Sequence, residues 1–287
     1  MSQPVVIDGG LSTELERLGA SVAGNLWTGH ALLNQPQLIE QAHRNYVLAG
    51  AKVVITSSYQ LSRQGFLEEG LTTDDADAAL RLSVNVAKAA VAGTDAKVAA
   101  SVGPYGAVLH DGSEYRGDYQ VTQAELETFH RERLEVLVSA QPDYLAIETI
   151  PNLVEARALA AVLRDNQTPF WFSFTAANGT TLWSGESFAE AVATVAEIPH
   201  LLAIGVNCVA PEFVAELAET VVRVSGKPVV AYPNRGGEWD SANGVWIGAQ
   251  PAELTEFLPD WRAAGVEYIG GCCGTHSGDI AKLAQSL

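Results

Sequence analysis

The chain has 287 residues, 47% of them hydrophobic, and 17 Lys and Arg against 34 Asp and Glu, a formal charge of −17. Such a charge repels a phosphate backbone and an anionic membrane surface, so the composition argues against nucleic-acid and membrane partners. A cationic substrate would be attracted, although acidic surfaces mostly serve solubility. No run approaches the roughly 20 apolar residues of a membrane span. The start, Met-Ser-Gln-Pro-Val-Val, lacks the basic and apolar regions of a signal peptide. With three cysteines, an odd number, and no export signal, the expected compartment is the reducing cytoplasm.

Short β-branched apolar runs recur at 5–8, 52–57, 97–102, 144–148, 170–175, 201–207, 228–232 and 268–271. Segments with helical apolar spacing lie between and after them, at 37–49, 74–92, 123–139, 153–164, 188–196, 212–224, 252–263 and 278–285. Eight such alternating units predict a single α/β domain over residues 1–287, a (β/α)8 TIM-type barrel with its active site at the C-terminal ends of the strands. Gly50 and Gly265 stand between a helix and the next strand, where glycine accepts the left-handed conformation that stops a helix. The segments after strands 1, 3, 5 and 7 are long and rich in Gly, Asn, Asp, Tyr and Trp, as the loops of a catalytic barrel face should be.

The polar and thiol residues fall where that fold puts chemistry. Asp8, Ser57, Glu148, Thr175, Cys208, Tyr232, Asn234, Cys272 and Cys273 all lie at or just beyond a predicted strand end. Cys208 closes strand 6 and the Cys272-Cys273 pair follows strand 8, two positions apart on one rim. Three thiolates meeting there would form a soft metal site with one coordination position left over, the pattern of a catalytic zinc site. Three other readings stand beside it. Each cysteine is a small buried hydrophobe; two of them form a disulfide, although vicinal cysteines bridge poorly; or His276 supplies a fourth ligand and makes the site structural.

Together these motifs resemble the zinc-dependent homocysteine S-methyltransferases. The likeness rests on Ile7-Asp8-Gly9-Gly10, Ile55-Thr56-Ser57-Ser58-Tyr59-Gln60 and Ser101-Val102-Gly103-Pro104-Tyr105-Gly106. Glu148-Thr149, Gly205-Val206-Asn207-Cys208, Tyr232-Pro233-Asn234 and Gly270-Gly271-Cys272-Cys273-Gly274-Thr275 complete it. The resemblance implies one Zn²⁺ per chain held by Cys208, Cys272 and Cys273, and methylation of homocysteine to methionine. It also implies that Asp8 and Glu148 hold the amino acid's ammonium group, with Asn207 assisting and Thr56, Ser57, Trp27 and Tyr232 completing the substrate-binding set. The bland alternatives are a turn or cap role for Asp8 and a solvated carboxylate at Glu148.

Within the family the methyl donor varies. Betaine-using members carry a C-terminal extension, folate-using ones are modules of larger proteins, and this chain stops at Leu287. The segment 101–119, with Asp111-Gly112-Ser113-Glu114-Tyr115-Arg116-Gly117-Asp118-Tyr119, is close to the pattern of members using S-methylmethionine, with S-adenosylmethionine as a poorer donor. The expected partners are therefore homocysteine and a sulfonium donor, in a monomer or weak homo-oligomer.

The chemistry fits those parts. A free thiol with pKa about 8.5 is mostly protonated at neutral pH, and coordination displaces its proton. Trp27, Trp183, Trp239 and Trp246 fall in loops, where aromatic faces hold a sulfonium by cation–π attraction or merely pin the loops to the rim. Trp27, in Asn25-Leu26-Trp27, matches the family, and Tyr105, Tyr115 and Tyr119 are candidates for a lid. Two rival functions remain: a zinc-dependent barrel hydrolase with a metal-activated water and Glu148 as general base, and a thiol-based zinc carrier or sensor. Betaine is the alternative donor.

Overall fold

The computed structural model describes residues 3–20, 28–236, 238–240, 245–247 and 252–287. Eight parallel strands form its centre: β1 (Val5–Val6), β2 (Val53–Ile55), β3 (Lys97–Val102), β4 (Tyr144–Ile150), β5 (Phe170–Phe174), β6 (Leu201–Asn207), β7 (Val229–Tyr232) and β8 (Val266–Ile269). They pair in the order β1-β8-β7-β6-β5-β4-β3-β2. The ring then closes on itself. Ile7 bridges Val53, Lys52 N–H donates to Val6 O at 2.7 Å, and Asp8 N–H donates to Val53 O at 3.1 Å. The architecture is the expected (β/α)8 barrel.

Eight helices cover the ring: α1 (Pro36–Leu48), α2 (Thr73–Val91), α3 (Gln123–Ser139), α4 (Leu153–Leu163), α5 (Phe188–Val195), α6 (Val214–Ser225), α7 (Leu258–Ala263) and α8 (Ser277–Ser286). Their starts are written in the sequence. Thr72 and Thr122 make reciprocal capping boxes with Asp75 and Glu125, and Asn152 and Ser187 accept the N–H of Glu155 and Glu190. Each such cap is worth about 1 kcal/mol. Their stops are equally local: Gly50 and Gly265 sit at φ 107° and 95°, a region other residues rarely enter.

Strand 8 differs from its expected 268–271 span, because the ladder begins at Val266 and ends at Ile269. A Cβ on Gly270 would lie 2.5 Å from Asp8 O, so this glycine leaves the strand to pass close against β1. Gly270 and Gly271 still donate to Ala231 O and Asp8 O, which ties the segment to β7 and β1 beyond the last strand residue.

Two apolar layers hold the barrel. Inside the ring, Ile7, Val53, Ala99, Ala146, Trp171, Ala203, Val230 and Tyr232 form one contact cluster. The much larger outer layer joins the other strand faces to the helices, with Val54, Val98, Leu145, Phe172 and Ile204 meeting Leu80, Leu137, Leu159, Val192 and Leu217 in one cluster. Each fully buried side chain of this size contributes about 1.5–3 kcal/mol before entropy is subtracted. No helix among the described residues is long and apolar enough to cross a membrane.

His43 on α1 is fully buried, and neither ring nitrogen has a partner. Burial disfavours the imidazolium and pulls its pKa from 6.5 to about 4. The unfolded chain therefore takes up a proton that the folded chain refuses, and stability is lost as pH falls through that window. The loss approaches about 3 kcal/mol. His43→Leu is expected to flatten this part of the pH profile, read as the difference in urea midpoints between the two proteins near pH 7 and near pH 4. Parallel profiles would mean that His43 finds a partner.

Candidate active site

Cys208 is the residue immediately after β6, and Cys272 and Cys273 follow β8 by three and four residues. β7 lies between those strands, and the segment that follows it holds the thiol loops in place. Cys208 N–H donates to Tyr232 O, Cys272 N–H to Pro233 O at 2.7 Å, and Arg235 N–H to Cys273 O at 3.0 Å. The three sulfurs lie within 4.8 Å of one another. Glycines on both sides make the approach feasible: a Cβ on Gly10 would lie 2.5 Å from Cys272 O, and one on Gly271 would lie 2.7 Å from Thr275 Cβ.

Cys208 and Cys272 are joined as a disulfide across 5.6 Å between Cα atoms, while Cys273 is free with its sulfur 3.6 Å from that of Cys208. The vicinal pair is not bridged. His276 takes no part in the cluster, because it is the N-cap of α8: its Nδ1 accepts Gly278 N–H at 3.1 Å, and its backbone N–H donates to Asp279. The reading of His276 as a fourth ligand is thereby corrected.

Two strained turns face each other across the rim. Thr149 follows Glu148 at φ 62°, and Cys208 follows Asn207 at φ 49°. Left-handed backbone costs about 1–3 kcal/mol at a non-glycine residue, most for a β-branched one. Asn207 holds the first turn directly. Its Oδ1 accepts Thr149 N–H at 2.7 Å and Ser173 Oγ–H at 2.8 Å, and its Nδ2 donates to Thr149 Oγ1 at 2.7 Å. Tyr232 continues the network, with its hydroxyl 2.7 Å from Ser173 Oγ and accepting Trp171 Nε1–H at 3.0 Å.

Glu148 is buried on the same rim and accepts hydrogen bonds from Ser101 and Tyr232. Burial raises its pKa to about 7, against the lowering effect of those two donors. Asp8, also buried, accepts Ile55 N–H at 2.7 Å and so links β1 to β2. Its pKa is well above the usual carboxylate value, through burial first and then the charge of Glu148, against that backbone donor.

A cavity of about 550 Å³ opens above these groups. Of the residues singled out in the sequence, Thr56, Ser57, Glu148, Asn207, Cys208, Tyr232, Cys272 and Cys273 all line it. Asp8 lies just behind the wall, next to the lining residue Gly9. Trp27 falls outside the described residues. The Ser57 hydroxyl is buried without a partner, whereas Thr56 Oγ1 is occupied by Ser101 N–H and Ser58. Of the three lid tyrosines only Tyr115 lines the cavity, hydrogen-bonded to Cys273. Tyr105 and Tyr119 instead anchor their loop: Glu155 accepts the backbone N–H of Tyr105 and the hydroxyl of Tyr119.

The sequence motifs include Ser101 and Thr149 without assigning them a role, and Ser173, a polar residue inside an otherwise apolar strand run, went unmarked. The lining includes Glu16, Glu114 and Glu148 and, among the described residues, no Lys or Arg. Burial, with Glu114 and Glu148 nearby, pushes the free Cys273 thiol up to about 11, against the hydrogen bond from Tyr115. With Cys208 and Cys272 reduced, three soft sulfur donors gathered in an acidic pocket fit one thiophilic cation.

A parallel barrel whose C-terminal rim gathers three sulfurs beside buried carboxylates has the form of a (β/α)8 enzyme with a cysteine cluster that could hold a metal ion. The sequence profile described as homocysteine S-methyltransferase matches residues 5–287. Homocysteine S-methyltransferase 4 of Zea mays is 41% identical over 303 residues, covering 98% of this chain and 89% of that protein. The Escherichia coli homocysteine S-methyltransferase is 40% identical over 291 residues, covering 97% of this chain and 94% of that one. The metallated crystal form of the E. coli homocysteine methyltransferase MmuM superposes with a TM-score of 0.90 at 38% identity, covering 100% of this chain and 97% of that one. The chain belongs to the homocysteine S-methyltransferase family.

Replacing Asn207 with Ala should strand the buried Thr149 N–H and release the turn behind Glu148. A loss of about 1–3 kcal/mol is expected from the unsatisfied donor, read from urea unfolding, together with a fall in turnover. An unchanged midpoint would show that the turn at Thr149 needs no support from Asn207.

Proposed function

We propose that this chain is a zinc-dependent homocysteine S-methyltransferase that takes its methyl group from S-methylmethionine and uses S-adenosylmethionine less well. The observation that carries the reading is the meeting of three cysteine sulfurs with buried carboxylates in one cavity without lysine or arginine among its described lining. Cys208, Cys272 and Cys273 in their reduced form would hold the ion. When bound, zinc supplies Lewis acidity that lets a thiol shed its proton at neutral pH while its sulfur stays nucleophilic.

The chain's own groups account for the rest. Glu148, with Asp8 behind it, offers negative charge to the homocysteine ammonium, and Ser57 brings an unpartnered hydroxyl to the same wall. The homocysteine sulfur then attacks the donor methyl carbon in line. One S–C bond forms as the sulfonium S–C bond breaks, and the electron pair stays on the departing sulfur. With S-methylmethionine both products are methionine. A pocket lined by carboxylates favours cationic donors over anionic ones, which supports a sulfonium against a folate. Because the donor's charge is already diminishing in the transition state, rate comes mainly from aligning the two sulfurs rather than from binding the sulfonium tightly.

We read residues 1–287 as one homocysteine-binding barrel domain, acting in the cytoplasm as a monomer or weak homo-oligomer. The hydrolase reading is opposed by the thiol donor set, which leaves a bound ion too electron-rich to activate water well, and by the family to which the chain belongs.

The reduced, zinc-loaded protein is expected to form methionine from homocysteine fastest with S-methylmethionine, more slowly with S-adenosylmethionine and least with betaine. Cys208→Ser, Cys272→Ser and Cys273→Ser should each lose zinc and activity together. No methionine from any donor at full zinc occupancy would sink the proposal.

The pH dependence has a definite sign. Glu148 is protonated below about pH 7 and then no longer attracts an ammonium group. Methionine, whose sulfur carries no titrating proton, should therefore bind more weakly as pH falls through 7. In Glu148→Gln that dependence should disappear and binding should be weak throughout. Calorimetric titration across this range decides the matter.

A further inference from the structure

The segment after β3 carries a further acidic residue to the cavity. Glu114 lies in a short helix, Ser113–Arg116, pinched between Gly112 and Gly117, both left-handed at φ 79° and 67°. This helix is pressed against the backbone at Gly106, where a Cβ would lie 2.5 Å from Glu114 N. Ser113 fixes its start, donating its N–H to Asp111 Oδ1 at 2.9 Å. Glu114 is thus held in place, and Tyr115 beside it reaches Cys273.

Glu114 lines the cavity, and its carboxylate Oε2 is buried with no hydrogen-bond partner. The neighbouring Arg116 does not pair with it. That guanidinium is turned to Asp118 Oδ2 at 3.0 Å and to Asp111 O at 2.9 Å. A buried carboxylate without a cation is costly unless a ligand supplies one.

The donor offers two cationic groups, and the chemistry separates them. The sulfonium loses its charge during transfer, so a carboxylate against it would stabilise the ground state more than the transition state and slow the step. The α-ammonium keeps its charge throughout. An ion pair there holds substrate and transition state alike, and so binds the donor without slowing the transfer.

We propose that Glu114 receives the α-ammonium of the methyl donor and thereby selects sulfonium compounds that carry an amino-acid head. The inference rests on the sulfonium-donor reading above, and it assigns Glu114 to the donor and Glu148 to homocysteine. Donors lacking the amino group, such as betaine or simple dimethylsulfonium acids, leave this carboxylate unpaired.

The test compares S-methylmethionine with its des-amino analogue, 4-(dimethylsulfonio)butanoate, on the zinc-loaded wild type, Glu114→Gln and Glu114→Asp. In the wild type, S-methylmethionine should have a KM about 10- to 100-fold lower than the analogue, the range for a charge-assisted hydrogen bond. In Glu114→Gln, the KM for S-methylmethionine should rise by about that factor while the analogue's KM stays within about twofold. Homocysteine KM, zinc content and melting temperature should hold, and Glu114→Asp should restore part of the preference. Equal losses on both donors, or no loss on either, would overturn the assignment while leaving the sulfonium reading intact. A wild type that turned over neither sulfonium would instead refute the sulfonium reading, and this inference with it.

Discussion

Closure of the strand ring between β1 and β2 is the constraint on which the site rests. Both strands are short, and the join is made by Lys52 N–H to Val6 O and Asp8 N–H to Val53 O, with Asp8 Oδ2 adding a bond to Ile55 N–H. Once the ring is closed, the ends of β4, β6 and β8 can point only toward a common space above the barrel. Residues from distant parts of the chain then become neighbours: Thr149 meets Asn207, and Cys208 meets Cys272 and Cys273. Asp8 therefore links the closure of the fold to the acidity of the site, buried near Glu148 while it bonds β2.

Above that ring, stability is given up locally in return for position. Thr149 and Cys208 occupy left-handed backbone that their side chains disfavour. The cost is met by Asn207, whose side chain makes three hydrogen bonds to Thr149 and Ser173 at the centre of the network. The electrostatics follow the same pattern. Glu148 and Asp8 are buried with donors too few to keep their pKa values at ordinary levels, and the buried Oε2 of Glu114 has no hydrogen-bond partner. A pocket built with unbalanced negative charge suits cationic partners, the proposed ones being a metal ion and the ammonium groups of homocysteine and its methyl donor.

Much of this was legible in the chain before folding. The alternation of β-branched runs with amphipathic segments gave the eight units, and the helix starts at Thr72, Thr122, Asn152 and Ser187 carry their own capping chemistry. The thiols and Glu148 stood out because strand ends in this architecture face one side, and Asn207 was named only through the family resemblance. Strand 8 was misplaced by two residues because Gly270 and Gly271 lie where β-propensity says nothing and close approach to β1 decides. Ser101 and Ser173 were given no role because a hydroxyl in an apolar strand is not marked as functional until its partner is known. Tyr105 and Tyr119 were assigned to a lid, yet Glu155 draws both away from the cavity.

Local physics therefore determined from sequence alone the element order, the barrel class and the identity of the sulfur and carboxylate groups. Each depends on residues near one another in the chain: apolar period, caps, glycine stops and short motifs. Only tertiary structure decided which groups meet, since meeting is set by ring closure and shear over separations of 58 to 65 residues. It made His276 a helix cap rather than a ligand, because α8 begins there with its N–H groups unsatisfied. It also left Glu114 at the cavity without an ion pair to Arg116, whose guanidinium is held by Asp118 and the backbone of Asp111. Burial and pairing are properties of the assembled neighbourhood, and no reading of one segment contains them.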